Sequence, residues 1–229
     1  MGLSLAAMLT GHGITPLATY RGQAGRQRIE NSLAGLGRPF ESLRLDLAAD
    51  QPFAGLDCIL EGGVDYLIDF AQEELEGLVA AADPGAVHRF LETSISARYD
   101  LVFRVVRKMV AARSGRLVYI SSTASQRPNA GQGFYAAAKQ ASEALYRSVG
   151  LELAGRGITA VTLRPGYVNG GRGRKFLHAG GQALVQKIPL GRALEVKEVA
   201  QTILFLLSDG AVGINATAVT MDGGLTAGK

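Results

Sequence analysis

Apolar positions along the chain follow two alternating patterns. Short aliphatic and β-branched runs at Thr15 to Tyr20, Ser42 to Leu47, Tyr66 to Phe70, Arg116 to Ser121, Ile158 to Leu163 and Ala216 to Met221 read as strands. Leu3 to Gly11, Val87 to Ser114, Tyr135 to Ala154 and Val196 to Ser208 instead carry apolar residues at helical spacing, as in Leu145, Val149 and Leu153 or Val199, Ile203 and Leu206. Strands that alternate with helices in this way predict an α/β fold, a doubly wound parallel sheet with right-handed crossovers and helices on both faces. No internal repeat, low-complexity tract or linker interrupts the pattern, so residues 1–229 read as a single domain.

Composition narrows the classes. With 47% hydrophobic and 19% charged residues the chain is neither disordered nor fibrous. Its longest uninterrupted aliphatic and aromatic run, Ile203 to Leu207, is far short of the roughly 20 residues a membrane span needs, so no membrane association is expected. The apolar start, Met1 to Leu9, lacks a basic leader and runs into Thr10-Gly11-His12-Gly13, which reads as a helix. Cys58 stands alone, which leaves no intramolecular disulfide or multi-cysteine metal site and points to the cytoplasm, with Cys58 expected in the core. His12, His88 and His178 lack ligand spacing, so no metal is expected. A formal net charge of +4, dispersed along the chain, does not call for nucleic acid. Glycine supplies 30 residues, nearly twice the usual share, and points to tight turns and ligand loops.

One cluster carries chemistry. Arg116-Leu-Val-Tyr-Ile-Ser-Ser122 reads as a strand that delivers Ser122 to its C-terminal end, and Tyr135-Ala-Ala-Ala-Lys139 lies on a helix. Residues four apart share a helix face, so the Lys139 ammonium is expected beside the Tyr135 phenol, where it favours the ionised form. Such a phenol can give a proton to a carbonyl oxygen during hydride transfer, with Ser122 holding the same oxygen.

With these residues the chain resembles the short-chain dehydrogenase/reductase family, and within it the 3-oxoacyl-(acyl carrier protein) reductases. The resemblance covers nearly the whole chain. It rests on the strand ending in Ser-Ser, the Tyr135/Lys139 pair, Arg164-Pro165-Gly166-Tyr167-Val168 after the next strand, and Met221-Asp222-Gly223-Gly224. It implies a Rossmann-like fold with NADP(H), the catalytic set Ser122, Tyr135, Lys139 and Ser94, and a nicotinamide loop at Pro165, Gly166 and Val168. Tyr135 and Lys139 would also hold the nicotinamide ribose. On the adenosine side it implies Gly2, Arg21, Asp46, Leu47 and Ala71. Arg21, at the end of the strand where an acidic residue would favour a 2′-hydroxyl, matches a 2′-phosphate in charge and geometry.

Four positions depart from the family pattern. Met1-Gly2-Leu3-Ser4-Leu5-Ala6 corresponds to the last glycine of the Thr-Gly-x-x-x-Gly-x-Gly turn and the helix after it, so the first strand is missing from this sequence. The chain is therefore expected either to begin inside a longer polypeptide or to have given up ordinary dinucleotide binding. Asp69-Phe70-Ala71-Gln72 stands where the family has Asn-Asn-Ala-Gly, Ser94 replaces a water-holding asparagine, and Gly170 replaces a threonine.

The resemblance implies reduction of an acyl-thioester substrate, carried on acyl carrier protein in fatty-acid or polyketide assembly, by a homotetramer or homodimer built through the two long helices. A basic face of Arg104, Arg107 and Lys108, extended by Arg172, Arg174 and Lys175, is a candidate carrier contact. Two other readings stay open: a catalytically silent binding or structural subunit, favoured by the reduced dinucleotide turn, and a reductase of another small carbonyl compound. The loop from Tyr167 to Gly180 would decide the substrate.

Overall fold

The computed structural model describes residues 1–177 and 181–227, so His178 and the last residues of the Tyr167 to Gly180 loop lie outside the described residues, as do the side chains of Arg172 and Lys175. Helix α1 (Gly2–Gly11) leads into β1 (Leu17–Tyr20), α2 (Gln23–Leu33), β2 (Glu41–Arg44), α3 (Leu56–Leu60) and β3 (Tyr66–Asp69). Next come α4 (Pro84–Leu91), a π-helical turn (Glu92–Ser96), α5 (Ala97–Ala112), β4 (Gly115–Ile120), α6 (Gly133–Leu153) and β5 (Ile158–Pro165). The chain continues through β6 (Val168–Asn169), α7 (Gly171–Phe176), α8 (Gln182–Val185), β7 (Leu194–Glu195), α9 (Val196–Leu207) and β8 (Thr217–Met221).

Every pairing between these strands is parallel. The four-stranded sheet has the order β3-β4-β5-β8, and β1 pairs with β2 in a separate ribbon. Among the described residues β1 and β3 do not pair with each other, and the break falls where the resemblance leaves out the first strand. Its effect on burial is direct: β4 and β5 are buried along nearly their whole length, whereas most of β1 and β3 is half-buried.

Alternation along β4 explains the two helical layers. Val118 and Ile120 point to one face, where they pack with Leu5 and Leu9 of α1, Val161 and Leu163 of β5, and Val199 and Ile203 of α9. Leu117 and Tyr119 point to the other, against Leu101, Val105 and Met109 of α5 and Tyr146 of α6. Each of the larger apolar side chains in these layers contributes about 1.5–3 kcal/mol by leaving water.

The structure corrects two expectations and adds a helix. The helix expected over Val87 to Ser114 is broken: α4 starts on a cap in which Asp83 accepts from Ala86 N at 2.7 Å, and the π turn precedes α5. Ser94 O in that turn accepts from the Arg98 side chain, an interaction that apolar periodicity does not reveal. Helix α2 leaves no apolar period in the sequence because it is polar, starts without a side-chain cap and buries only Ile29 and Leu33. Cys58 is exposed rather than in the core.

Gly157, in the turn into β5, has φ 75°, and a Cβ there would sit 2.5 Å from Arg113 O. Gly157→Ala is expected to cost about 2 kcal/mol and lower Tm by about 4–8 °C in thermal denaturation. Gly155→Ala, where a Cβ meets nothing within 4 Å, should leave Tm nearly unchanged. Equal melting of the two variants would contradict the packing argument.

Candidate active site

One face of α6 is polar and buried. Tyr135, Lys139, Ser142, Glu143 and Tyr146 recur at intervals of three and four, and all but the half-buried Tyr135 are at most 3% exposed. Lys139 Nζ donates to Ile120 O at 2.7 Å, which ties it to the end of β4 two residues before Ser122. From there it lies 4.9 Å from the Tyr119 ring centre and 5.7 Å from that of Tyr135. The ammonium and the phenol ring are thus on one side of the helix. Ser122 follows β4 and caps the short turn Thr123–Ser125, its Oγ accepting from Ala124 N at 3.2 Å.

Glu143, one turn beyond Lys139, closes a second link. Ser121 Oγ donates to it at 2.5 Å, and Arg164 Nε lies 3.0 Å from both its carboxylate oxygens. Burial alone would raise the Glu143 carboxyl, but the donors Arg164 and Ser121 outweigh it and hold the group below its ordinary value. The ends of β4 and β5 are thereby fastened to α6 beside the candidate proton donor.

A third link starts at β3. Arg98 of α5 is 1% exposed and donates through Nε to Asp69 Oδ2 at 2.8 Å, through Nη1 to Ser142 Oγ at 3.1 Å and to Ser94 O, and through Nη2 to Ala71 O. Tyr146 donates to the same Asp69 oxygen at 3.0 Å, and Asp69 Oδ1 accepts from Ala71 N at 2.8 Å. Burial opposes the Arg98 charge, yet the Asp69 carboxylate raises its pKa above the ordinary value. Burial likewise pushes the Tyr119 and Tyr146 phenols up. Ser94 lies within this cluster, 2% exposed, and its Oγ has no partner. Sequence reasoning missed Arg98, Glu143 and Tyr146; the departure at Asp69, which Arg98 and Tyr146 both contact, was a signal for those two and not for Glu143.

The remaining predicted residues line the C-terminal ends of the strands. Gly2 opens α1, where a Cβ would lie 3.8 Å from Phe70 Cδ2. Arg21 follows β1. Asp46 and Leu47 follow β2; Asp46 Oδ1 accepts from Ala48 N at 3.2 Å, and Leu47 packs on the α5 side of the core. Pro165 ends β5, Gly166 N donates to Met221 O at 2.9 Å, and Val168 pairs with Leu194. Gly170 is extended, and any side chain there would collide with Val196, which accounts for the absent threonine. Two cations of the basic face have local contacts, Arg104 with Asp57 and Arg107 over the Phe103 ring at 5.5 Å.

A family model described as Enoyl-(Acyl carrier protein) reductase, of the short-chain dehydrogenase/reductase type, matches residues 1–226. The chain belongs to the short-chain dehydrogenase/reductase family. As a member it is 30% identical to 3-oxoacyl-(acyl-carrier-protein) reductase FabG of Pseudomonas aeruginosa over 98% of this chain and 92% of that protein. Identity to FabG of Escherichia coli is 28%, with the same coverage. A crystal structure of a single-substitution variant of actinorhodin polyketide ketoreductase with NADPH superposes with TM-score 0.90 at 24% identity, covering 97% of this chain and 92% of that one. A short chain dehydrogenase/reductase family protein gives TM-score 0.86 at 25% identity, covering 99% of this chain and 93% of that one. Membership of this family makes the chain an oxidoreductase. Among the described residues no helix is long and apolar enough to cross a membrane, and no group of three potential metal ligands assembles.

Proposed function

We propose that this protein is an NADPH-dependent reductase that converts a 3-oxoacyl thioester, borne by an acyl carrier protein in fatty-acid or polyketide assembly, to its 3-hydroxyacyl form. The observation that carries this reading is the Lys139 ammonium, anchored on Ile120 O and 5.7 Å from the Tyr135 ring centre, beside the strand end that presents Ser122. The names of the curated relatives supply the substrate class and that of the ketoreductase supplies the cofactor.

The residues fit NADP(H) at both ends. Arg21 brings to the end of β1 a guanidinium, whose charge and planar geometry suit a phosphate. At the nicotinamide end Gly166 packs so closely that a Cβ would lie 2.8 Å from Asp222 Cβ, a floor that only glycine permits. The bound cofactor supplies a hydride to the carbonyl carbon. Ser122, whose Oγ accepts from Ala124, keeps its own hydroxyl proton to donate to the carbonyl oxygen. Tyr135 transfers its proton to that oxygen, and the Lys139 charge stabilises the phenolate left behind. Ser94 Oγ, buried and unpartnered, is suited to hold a water that returns a proton towards Lys139.

A cytoplasmic homodimer or homotetramer fits the same picture. Tyr99 and Phe103 of α5 and Leu151 of α6 are exposed apolar groups, and a groove of about 410 Å³ between the two helices is lined by Tyr99, Ala141 and Leu145 together with the polar Ser96, Asp100 and Ser142.

The test is NADPH absorbance with a 3-oxoacyl thioester: time-dependent loss proportional to enzyme supports the reading. The departure at Asp69-Phe70-Ala71-Gln72 favours a second reading, a silent binding subunit. The absence of both turnover and a change in NADPH fluorescence on mixing would select it.

A further inference from the structure

Arg21, the candidate partner of a 2′-phosphate, already holds an acid. Its Nη1 lies 2.6 Å from Glu73 Oε1, and its Nη2 donates to Gln72 O at 2.8 Å. Both donors of the fork thus point at the segment after β3, across the break between the two sheets. The backbone of Arg21 is held from the other side, since Arg44 Nε donates to Arg21 O at 3.2 Å. The Glu73 segment is held too: Gln72 Nε2 donates to Glu73 O at 2.6 Å. Arg21 is therefore stationed at the end of β1 with its guanidinium turned onto a carboxylate, the chemistry by which it would meet a phosphate.

Glu73 takes Nη1 and Gln72 O takes Nη2, so a 2′-phosphate that approaches this edge of the guanidinium competes with Glu73 for it. Both are anions, and Glu73 left close to a bound phosphate would repel it. A nucleotide with a free 2′-hydroxyl meets neither obstacle. We propose that Glu73 is a specificity-determining residue, an internal anion that occupies Arg21 and must be displaced by the 2′-phosphate of the cofactor, so that it lowers affinity for the phosphorylated nucleotide and leaves the unphosphorylated one unaffected. The inference rests on the reading of Arg21 as the 2′-phosphate partner. The exposure of the pair, with side chains 55% and 27% exposed, keeps the penalty modest and the latch readily reversible.

Binding to the whole chain tests this. Titration calorimetry with adenosine 2′,5′-bisphosphate and adenosine 5′-monophosphate isolates the 2′-phosphate, and NADPH and NADH fluorescence repeats the comparison with complete nucleotides. Glu73→Gln is expected to tighten adenosine 2′,5′-bisphosphate and NADPH by about fivefold, with the unphosphorylated ligands changed by less than about twofold. Arg21→Met should weaken the phosphorylated ligands selectively and make Glu73→Gln silent in the double variant. If Arg21→Met acts as stated but Glu73→Gln shifts both classes equally or neither, the latch is refuted and the cofactor reading stands. If Arg21→Met has no selective effect, or no nucleotide binds, the cofactor reading fails and the latch with it.

Discussion

Tyr135→Phe is expected to lower kcat for reduction of a 3-oxoacyl thioester by about 10²- to 10⁴-fold, the contribution usual for a positioned general acid. The substitution removes one oxygen at a half-buried position and keeps the ring over which Lys139 Nζ sits at 5.7 Å. Helix α6 should stay in place, because Lys139, Ser142, Glu143 and Tyr146 fasten it independently of that hydroxyl. The Kd for NADPH should change by less than a few-fold, so the loss falls on kcat and not on binding. Turnover within a factor of about three of the parent would remove Tyr135 as the proton donor.

Arg98→Leu carries the largest expected effect on stability. It leaves Asp69, 3% exposed, without its cation and strips a donor from Ser94 O, Ala71 O and Ser142 Oγ. Removing one partner of a buried ion pair costs about 3–5 kcal/mol, a large part of the 5–15 kcal/mol that holds a typical domain together. A Tm lower by about 10 °C is expected in differential scanning fluorimetry. Should the single variant not accumulate as folded protein, Arg98→Leu with Asp69→Asn provides the check: a neutral amide needs no cation, its oxygen can accept from Ala71 N and its NH2 can donate to the Tyr146 hydroxyl, so the double variant should melt above the single one. A single variant that melts within about 2 °C of the parent would show that the pair contributes little.

The members of the buried polar stripe on α6 were legible to different degrees, for a physical reason. Tyr135 and Lys139 stood out because their spacing alone states an interaction, and the helix brings their side chains together. The next members of the same stripe, Ser142, Glu143 and Tyr146, look in sequence like part of a solvated helix face. They are buried because each meets a group far along the chain: Arg98 at Ser142, Ser121 and Arg164 at Glu143, and Asp69 at Tyr146. Arg98 was hidden for the same reason, since an arginine on a helix usually reaches water.

The alternation of strand and helix, and with it the parallel α/β fold and the position of Ser122 at a strand end, followed from the sequence, because burial of a pleated or helical face imposes a local period. Whether a polar side chain faces water, an ion partner or a ligand is set by contacts between segments tens of residues apart, which no local period records. The burial of Arg98 and Glu143, the π turn that exposes the Ser94 carbonyl to Arg98, and the turning of Arg21 onto Glu73 were therefore decided by the tertiary structure alone.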